Sequence, residues 1–316
     1  TPTLESSYTA WITQNCATIA EMKRLEEENN RLFIDAYGLQ EELTPDVPIE
    51  QITLTVNPAY RYGGKLTIDA QWTRFRQDTM EELVSYAIGC MMGRYSLDEP
   101  GLIYANSGNE GFDPSKYTTF PADDDNVIPF LDEGWFEDDV VERFHSFLRA
   151  TFGDEHFSEN LRFLEEALGK DLRKYLLKDF YKAHVKTYKK RPIYWMFSSP
   201  KGSFNVLIYL HRYRPDTISV ILNDYLREYR NKLQVHRTHL ESVSISPSVS
   251  AAEKTRTLKQ LEKLKSVIEE LDVYEREVIY PLATRQLEID LDDGVKVNYA
   301  KFGKALAKVP GLSVKP

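Results

Sequence analysis

Residues 193–210 read IYWMFSSPKGSFNVLIYL, two apolar runs joined by a short connection that contains Gly202. Aromatic and β-branched residues in both runs are typical of strands, and a glycine in the connection favours a turn between them. The stretch therefore predicts a β-hairpin. Because most of the remaining sequence has a helical pattern, this hairpin indicates a mixed α+β fold.

Downstream of this hairpin, residues 217–240 and 253–287 predict two long helices. In the second segment, apolar residues recur at the spacing of a packing seam, at Leu258, Leu261, Leu264, Ile268 and Leu271. The serine-rich stretch 241–252 between the helices predicts a mobile loop. Together these segments predict an antiparallel helical hairpin that projects from a globular body.

Upstream of the β-hairpin, the pattern is also mainly helical. One long helix, or two, is predicted over 7–37 with Gly38 as the C-cap, and a further helix is predicted over 79–92 with Thr79 as its N-cap. Residues 52–56 alternate in polarity and predict a short strand. An irregular stretch, 93–135, is typical of a packed or functional loop. Helical periodicity then continues in 136–151, 158–168 and 172–188.

These segments predict a predominantly helical α+β fold, with a globular body, a short β-hairpin and a long antiparallel helical hairpin. The length of 316 residues indicates two domains, or one large domain with an appendage. We expect residues 1–214 to form a mainly helical body with an acidic front half and a basic region at 170–214. Residues 215–316 would form the helical hairpin and a C-terminal tail.

Charge is distributed unevenly along the chain. The formal net charge is −9, but residues 1–169 hold 12 Lys and Arg against 32 Asp and Glu, whereas 170–240 hold 16 against 5. Residues 241–316 hold 12 of each. Segregation of this kind favours a polyanionic partner. The alternative is that the basic block docks against the acidic half of the same chain.

The sharpest local pattern is a lysine series at every fourth position: Lys170, Lys174, Lys178, Lys182, Lys186 and Lys190. On an α-helix these ammonium groups would form a ridge about 30 Å long. Like charges four residues apart cost roughly 0.2–0.5 kcal/mol per pair, so the ridge does not stabilise its own helix. Binding of this ridge to a phosphate backbone would be favourable, because condensed counter-ions would be released. A solvated face balanced by Asp171 and Asp179 is the alternative.

Further cations follow the series and alternate with aromatic residues. Cations of this kind grip phosphates, whereas the rings of Tyr194, Trp195 and Phe197 fit the core of the hairpin better. The predicted DNA-binding residues are Lys174, Lys178, Lys182, Lys186, Lys189, Lys190, Arg191, Lys201, Arg212 and Arg214.

Signals for catalysis are weak. The stretch 57–60, NPAY, resembles the motif of adenine amino-methyltransferases, but it has Ala59 at the second proline position, and no glycine-rich loop for S-adenosylmethionine accompanies it. Acidic residues between 123 and 139 favour an exposed patch over a metal site. No catalytic or metal-binding residue is therefore predicted.

The sequence gives no sign of a disulfide framework, a thiolate zinc site, a membrane span or a signal peptide. Cys16 and Cys90 are too few for a disulfide framework or a thiolate zinc site. No stretch approaches the roughly 18 unbroken apolar residues of a membrane span, and no signal peptide is recognisable. A cytoplasmic protein with no membrane partner is expected.

Longer blocks carry a family resemblance: 30–39, 93–97, 101–105, 120–125, 188–199 and 290–303, among them YKKRPIYWMFSS and DLDDGVKVNYAKFG. They resemble the C-terminal region of PglX-type (BrxX) adenine-specific DNA methyltransferases of BREX phage-exclusion systems. In that family the cofactor-binding and catalytic motifs precede this region. The resemblance therefore implies a fragment without an active site of its own, which agrees with the absence of an initiator methionine.

The resemblance and the basic region together predict a DNA-engaging C-terminal module of an adenine-N6 methyltransferase. Expected partners are double-stranded DNA, the methyltransferase core of the same protein and other phage-exclusion proteins. No cofactor is expected in this chain, and S-adenosylmethionine is expected for the full-length family enzyme. The alternative is a protein–protein interaction module of the same defence complex that does not contact DNA.

Overall fold

The computed structural model describes residues 2–312. Its α-helices are α1 (Leu4–Tyr37), α2 (Pro58–Tyr62), α3 (Ile68–Met91), α4 (Val140–Phe152), α5 (Phe157–Leu168), α6 (Leu172–Tyr175), α7 (Tyr181–Thr187), α8 (Thr217–Val220), α9 (Glu228–Ile245), α10 (Ala251–Tyr274), α11 (Tyr280–Arg285) and α12 (Gly294–Lys301). Its strands are β1 (Val127–Pro129), β2 (Tyr194–Ser198) and β3 (Asn205–Tyr209). π-Helical turns span Leu176–Phe180, Ile221–Arg227 and Glu275–Ile279, and 3₁₀ turns span Ile49–Gln51, Pro114–Lys116, Leu210–Arg212 and Leu291–Asp293. The predominantly helical α+β fold is confirmed.

The predicted β-hairpin is β2 and β3, which pair antiparallel with Trp195 opposite Ile208. β1 pairs with the other edge of β3, which gives the strand order β1-β3-β2. β1 lies inside the stretch 93–135, which was predicted to be irregular. The sequence did not indicate this strand because three residues are too few to show strand alternation. Its place in the sheet depends on β3, about 80 residues later.

A short segment near the C-terminus covers the free edge of β2. Phe197 and Leu306 form an isolated antiparallel bridge. The Ser198 amide donates to the Ala305 carbonyl at 3.0 Å, and the Ala307 amide donates to the Met196 carbonyl at 2.8 Å. Residues 305–307 therefore satisfy edge groups that would otherwise need water or another chain.

The predicted helical hairpin is α9 and α10, joined by the five residues 246–250. Leu233 and Leu240 of α9 join Leu264, Ile268 and Leu271 of α10 in one buried cluster. The loop is shorter than predicted because α9 continues to Ile245 and α10 already begins at Ala251, where the hydroxyl oxygen of Ser250 caps it by accepting the Glu253 amide at 3.2 Å.

One member of the predicted seam was wrong. Leu258 is 55% exposed, whereas Leu271 is completely buried. The helix drifts relative to a seven-residue repeat, so a seam read from spacing does not stay on one face over its whole length.

The hairpin helices belong to the main apolar core, together with the inner face of the sheet. Trp195, Phe197 and Ile208 lie in this core with Phe302 from the C-terminal part of the chain. Edge-to-face contacts join the rings: Trp195 to Phe302 at 5.4 Å between centroids, and Phe197 to Phe302 at 5.7 Å. The prediction that the hairpin aromatics are core residues is confirmed.

Two local predictions in the first third of the chain were wrong. Residues 52–56 form no strand, because Ile52 ends a 3₁₀ turn and is buried with Ile19 and Val47. α3 begins at Ile68, so Thr79 is not its N-cap. The Thr79 hydroxyl instead donates to the carbonyl of Phe75, one turn earlier in the same helix, at 2.8 Å.

The first helix follows its prediction more closely. It begins at Leu4 and ends at Tyr37. Gly38 takes the left-handed conformation, with φ 67°, and its amide donates to the Asp35 carbonyl. Glycine adopts this left-handed conformation at the end of a helix without strain, as the sequence indicated.

The chain packs as two compact units. One contains residues 1–84 and 151–171, and the other contains 85–150 and 172–316. The expected division into a body at 1–214 and a helical hairpin with a C-terminal tail at 215–316 stays a prediction. Within residues 2–312 no helix combines the length and the apolar character that a membrane crossing requires.

Candidate nucleic-acid interface

The lysine series lies on a helix that is interrupted. α6 and α7 flank the π turn Leu176–Phe180, so the predicted continuous α-helix over 172–188 was wrong. A π turn uses i→i+5 hydrogen bonds and needs more residues per turn than an α-helix. On an α-helix, two lysines four residues apart are separated by one full rotation about the axis plus about 40°. Across the π turn the same spacing gives less than one full rotation. The lysines therefore do not form the regular spiral that was predicted.

The apolar side of this helix faces the core. Leu172, Leu176, Phe180 and His184 are all buried. The Nε2 atom of His184 accepts the Tyr194 amide at 3.1 Å, which ties α7 to the first residue of β2. Burial lowers the pKa of His184 to about 3, so the ring is neutral and its Nδ1 atom carries the proton. The fold thereby fixes which face of the helix carries the lysines.

The outward side of the helix carries the predicted cations. Lys174, Lys178, Lys182, Lys186, Lys189, Lys190 and Arg191 are exposed. Within residues 2–312, no carboxylate lies within 4.0 Å of the charged groups of Lys178, Lys182, Lys186, Lys189, Lys190 and Arg191. We call these six residues the basic ridge. Its charge is not cancelled by ion pairs in the described part of the chain.

One further cation in this region behaves differently. Arg173 points inward and makes a bidentate pair with Asp139, at 2.8 and 3.0 Å. Asp139 is completely buried, and its Oδ1 also accepts the Val141 amide at the start of α4 at 3.0 Å. Arg173 is thus committed to anchoring the helix, which leaves the outward lysines as its solvent-facing charge.

Two of the ridge lysines sit in a turn with left-handed backbone. Lys189 has φ 49° and Lys190 has φ 64°. The Lys190 amide donates to the Val185 carbonyl at 2.8 Å and the Lys189 amide to the Lys186 carbonyl at 3.0 Å, which is the hydrogen-bond pattern of a Schellman-type helix end. Glycine is the usual residue at such a position, so both lysines carry backbone strain.

The remaining predicted residues lie elsewhere. Lys201 is in the β2–β3 turn, where its Nζ donates to Ser266 of α10 at 3.3 Å. Arg214 is exposed and paired with Asp216 at 3.0 Å. Neither lines the surface formed by α7 and the turn that follows it.

Arg212 serves the interior. It is 3% exposed, and its guanidinium donates to the carbonyls of Asp123 at 2.7 Å and Asp124 at 3.2 Å. It also lies over the Phe112 ring, 3.8 Å from the centroid. Desolvation, the largest effect on this group, lowers its pKa. The guanidinium closes the 123–127 turn against β3 and is not presented to solvent.

One lysine that the sequence did not single out lies beside the basic ridge. Lys308 lines a groove with Lys182, Lys186, Lys189 and Lys190, although it is more than 100 residues further along the chain. The pairing of 305–307 with β2 brings it there. Nothing in the spacing of the lysine series could have indicated this neighbour.

The acidic cluster was predicted to be an exposed patch, and this was wrong for part of it. Asp123 and Asp139 are buried. The Tyr225 hydroxyl lies 2.9 Å from a carboxylate oxygen of Asp125 and 2.7 Å from one of Asp138. Burial, with Asp125 nearby, raises the pKa of Asp123 well above its usual value. Tyr225 holds Asp125 and Asp138, whereas the Asp139 carboxylate is paired with Arg173, and a sequence pattern does not reveal these contacts.

The NPAY stretch has a structural role. Asn57 is 2% exposed, and its Oδ1 caps α2 by accepting the Ala59 amide at 3.1 Å. Its Nδ2 donates to the carbonyls of Ile49 and Ile52 at 2.8 and 3.0 Å. The Asn57 side chain is therefore buried and held by hydrogen bonds within the fold. The described residues also contain no His, Cys, Asp and Glu cluster suited to a metal ion.

Sequence comparison identifies relatives among adenine-specific methyltransferases. The chain is 39% identical over 325 residues to the adenine-specific methyltransferase BrxX of Escherichia coli O9:H4 (strain HS), an alignment that covers 97% of this chain and 27% of that protein. It is 36% identical over 310 residues to the adenine-specific methyltransferase PglX of Lacticaseibacillus casei (strain Zhang), covering 95% of this chain and 24% of that protein. No protein-family model matches the chain.

These matches confirm the resemblance indicated by the sequence blocks. The chain is homologous to a region of PglX-type (BrxX) proteins. It spans about a quarter of the length of the curated relatives that it matches.

Proposed function

We propose that this chain is a DNA-engaging C-terminal module of a PglX-type adenine-specific methyltransferase in a BREX-like phage-exclusion system. The observation that supports it is the basic ridge, six exposed cations without a carboxylate partner among the described residues. The proposal places S-adenosylmethionine binding and methyl transfer in the part of the relatives outside the matched region. It also places the protein in the cytoplasm, where its DNA substrate is.

The basic ridge costs folding stability. Lys182 and Lys186 are like charges four residues apart on α7, and such a pair destabilises a helix by a few tenths of a kcal/mol. Each phosphate that a cation neutralises releases condensed counter-ions, which favours binding at low salt. A polyanionic partner would compensate for the repulsion, and duplex DNA is the polyanion that the resemblance to adenine-specific DNA methyltransferases implies.

Binding of duplex DNA at increasing salt tests this proposal directly. Each phosphate contact contributes about −0.9 to the slope of log affinity against log salt concentration. We expect the four-fold variant Lys182→Glu, Lys186→Glu, Lys189→Glu and Lys190→Glu to lose most of its DNA affinity and to lower the absolute slope by about 3 to 4. Fluorescence anisotropy with a labelled duplex measures both quantities.

A matched control carries the same change of net charge elsewhere on the surface. Lys259, Lys263, Lys265 and Lys296 are exposed lysines outside the ridge. Their four-fold replacement by Glu should retain most of the binding and of the salt slope. Equal losses in both variants would show that binding follows total charge, and wild-type protein that does not bind DNA would contradict the proposal.

A second candidate function is a protein–protein interaction module that does not contact DNA. It is favoured by the second half of α1, where Leu32, Phe33 and Tyr37 are 65%, 57% and 74% exposed. Exposed apolar side chains close together on one helix are typical of an interaction surface. Because the relatives are about four times longer than this chain, we take the rest of the methyltransferase as its occupant, with other phage-exclusion proteins as further candidates.

A further inference from the structure

The basic ridge borders a groove of about 510 Å³. Lysines form one side of its lining: Lys182, Lys186, Lys189, Lys190 and Lys308. Tyr181, Val185 and Pro310 form the rest of it and make the walls predominantly apolar. No Asp or Glu is among these lining residues. The groove thus combines a rim of five positive charges with a hydrophobic interior.

Three parts of the fold build this groove. α7 supplies Tyr181, Lys182, Val185 and Lys186 at i, i+1, i+4 and i+5, so that one side of the helix presents both apolar and cationic groups. The left-handed turn adds Lys189 and Lys190 at the end of that helix. The chain beyond residue 307 completes it, because hydrogen bonds between 305–307 and β2 direct Lys308 and Pro310 alongside α7.

The turn shows that the lysines on the rim are retained at a cost. A left-handed conformation costs a non-glycine residue about 1–2 kcal/mol, and two such residues follow one another here. Strain of this kind persists at ligand clamps, where the side chain is needed in that place. The Schellman-type hydrogen bonds hold the backbone in this shape without any ligand.

The mixed lining indicates the chemistry of the ligand. Phosphates alone would engage the rim and leave the apolar walls in water. A nucleotide whose base is unpaired brings both parts, a phosphodiester for the ammonium groups and a flat apolar face for the walls. The volume lies in the range of about 300–1,000 Å³ typical of small-ligand sites.

We propose that this groove binds an unpaired nucleotide of the DNA, with its base against Tyr181, Val185 and Pro310 and its flanking phosphates on the lysine rim. This inference rests on the proposed DNA engagement and adds a site within it. It also assigns a binding role to Lys308 and Pro310, which lie outside the lysine series.

A pair of DNA probes with equal charge isolates the contribution of the base. One duplex carries a single extrahelical adenosine, and the other carries an abasic residue at the same position, so that the phosphates are identical. Stacking of one base contributes about 1–3 kcal/mol, which corresponds to a 5- to 150-fold difference in affinity. We expect the wild-type chain to bind the adenosine duplex at least fivefold more tightly.

Two variants assign that preference to the groove. Lys308→Gln should weaken binding of both duplexes, whereas Lys296→Gln, an exposed lysine outside the groove, should leave both unchanged. The double variant Val185→Ala, Pro310→Ala should reduce the preference for the base and leave the affinity for the abasic duplex unchanged. Thermal unfolding of each variant shows that it is folded.

The outcomes separate this inference from the function on which it rests. Equal binding of both duplexes with a steep salt dependence would overturn the groove as a nucleotide site while DNA engagement stands, because the rim would then bind charge alone. A base preference that the Val185→Ala, Pro310→Ala change does not reduce would overturn the assignment to this groove. No binding of either duplex would overturn DNA engagement itself.

Discussion

In the proposed function, binding and folding place separate demands on Lys189 and Lys190. Their backbones adopt a conformation that glycine adopts freely, yet both side chains are lysine and both are exposed. If only the end of α7 mattered, glycine would serve better. The two demands can therefore be separated by mutation.

Lys189→Gly should leave the fold as stable as before or more stable, and should weaken DNA binding. Relief of about 1–2 kcal/mol of strain exceeds the 0.5–1 kcal/mol that glycine loses on folding, so we expect the free energy of unfolding to rise by about 0.5–1 kcal/mol. The salt slope of DNA binding should fall by about 0.9. Urea unfolding and anisotropy titrations measure the two effects.

The matched control is Lys186→Gly, within α7. There glycine replaces a residue in a helical conformation and should lower stability by about 1 kcal/mol, while the effect on DNA binding is similar. Opposite signs of the stability change at 186 and 189, with the same sign for binding, are expected. A loss of stability at both positions would contradict the strain argument.

His184 makes stability depend on pH. Its folded-state pKa of about 3 lies below the value of 6.5 in an unfolded chain, since burial disfavours the charged ring. The unfolded state therefore binds a proton first, and stability is lost as pH falls below 6.5. Between pH 7 and pH 5 this group alone should lower the free energy of unfolding by about 2 kcal/mol.

His184→Gln should flatten that pH dependence, because the amide oxygen can still accept the Tyr194 amide and does not titrate. His239→Gln, at an exposed histidine of α9, should leave the wild-type dependence unchanged. Denaturation curves at pH 5 and pH 7 measure both. Parallel pH profiles for wild type and His184→Gln would show that another group is responsible.

Among the elements, those that carry their own pattern could be predicted from the sequence. The β2–β3 hairpin and the α9–α10 pair follow from strand and helix periodicity with a short connection, and Gly38 marks the end of α1. Elements that depend on a distant partner could not. β1 needs β3, and the segment 305–307 needs the edge of β2.

The candidate site also has features that could be predicted from the sequence and features that could not. The exposed lysines of the 172–191 stretch were predicted because their spacing is local. The π turn within that stretch, the inward pairing of Arg173 with Asp139 and the burial of Arg212 were not, since each is decided by tertiary contacts. Lys308 was missed for the same reason.

The seam of the helical hairpin gives a prediction at the scale of elements. Leu271→Ala removes a completely buried side chain and should destabilise the fold by about 2–5 kcal/mol through lost burial and the cavity left behind. Leu258→Ala, at 55% exposure on the same helix, should change stability by no more than about 0.5 kcal/mol. Chemical denaturation compares them. Similar losses would mean that both leucines face the partner helix.

For the whole molecule, the exposed side of α1 is the surface that the second candidate function predicts to contact the rest of a PglX-type methyltransferase. The double variant Leu32→Glu, Phe33→Glu replaces two exposed apolar side chains and should leave the stability of this chain nearly unchanged. When this chain and the remaining part of a PglX-type protein are produced as separate polypeptides, the double variant should weaken their association. DNA binding by this chain should keep its salt slope.

Co-purification of the separately produced parts measures that association. Lys265→Glu, on α10, serves as the control because it changes an exposed residue away from α1. If the α1 variant associates normally, the interaction surface lies elsewhere. If it loses DNA binding instead, the division of roles between α1 and the basic ridge is wrong.

The cover that residues 305–307 give to β2 protects the chain against self-association. A chain shortened before Ala305 would expose a ready template for another copy's backbone, and the hydroxyls of Tyr274 and Tyr299 would lose their carbonyl acceptors in the same cut. Such a product would be expected to oligomerise edge to edge even though every helix remained in its sequence.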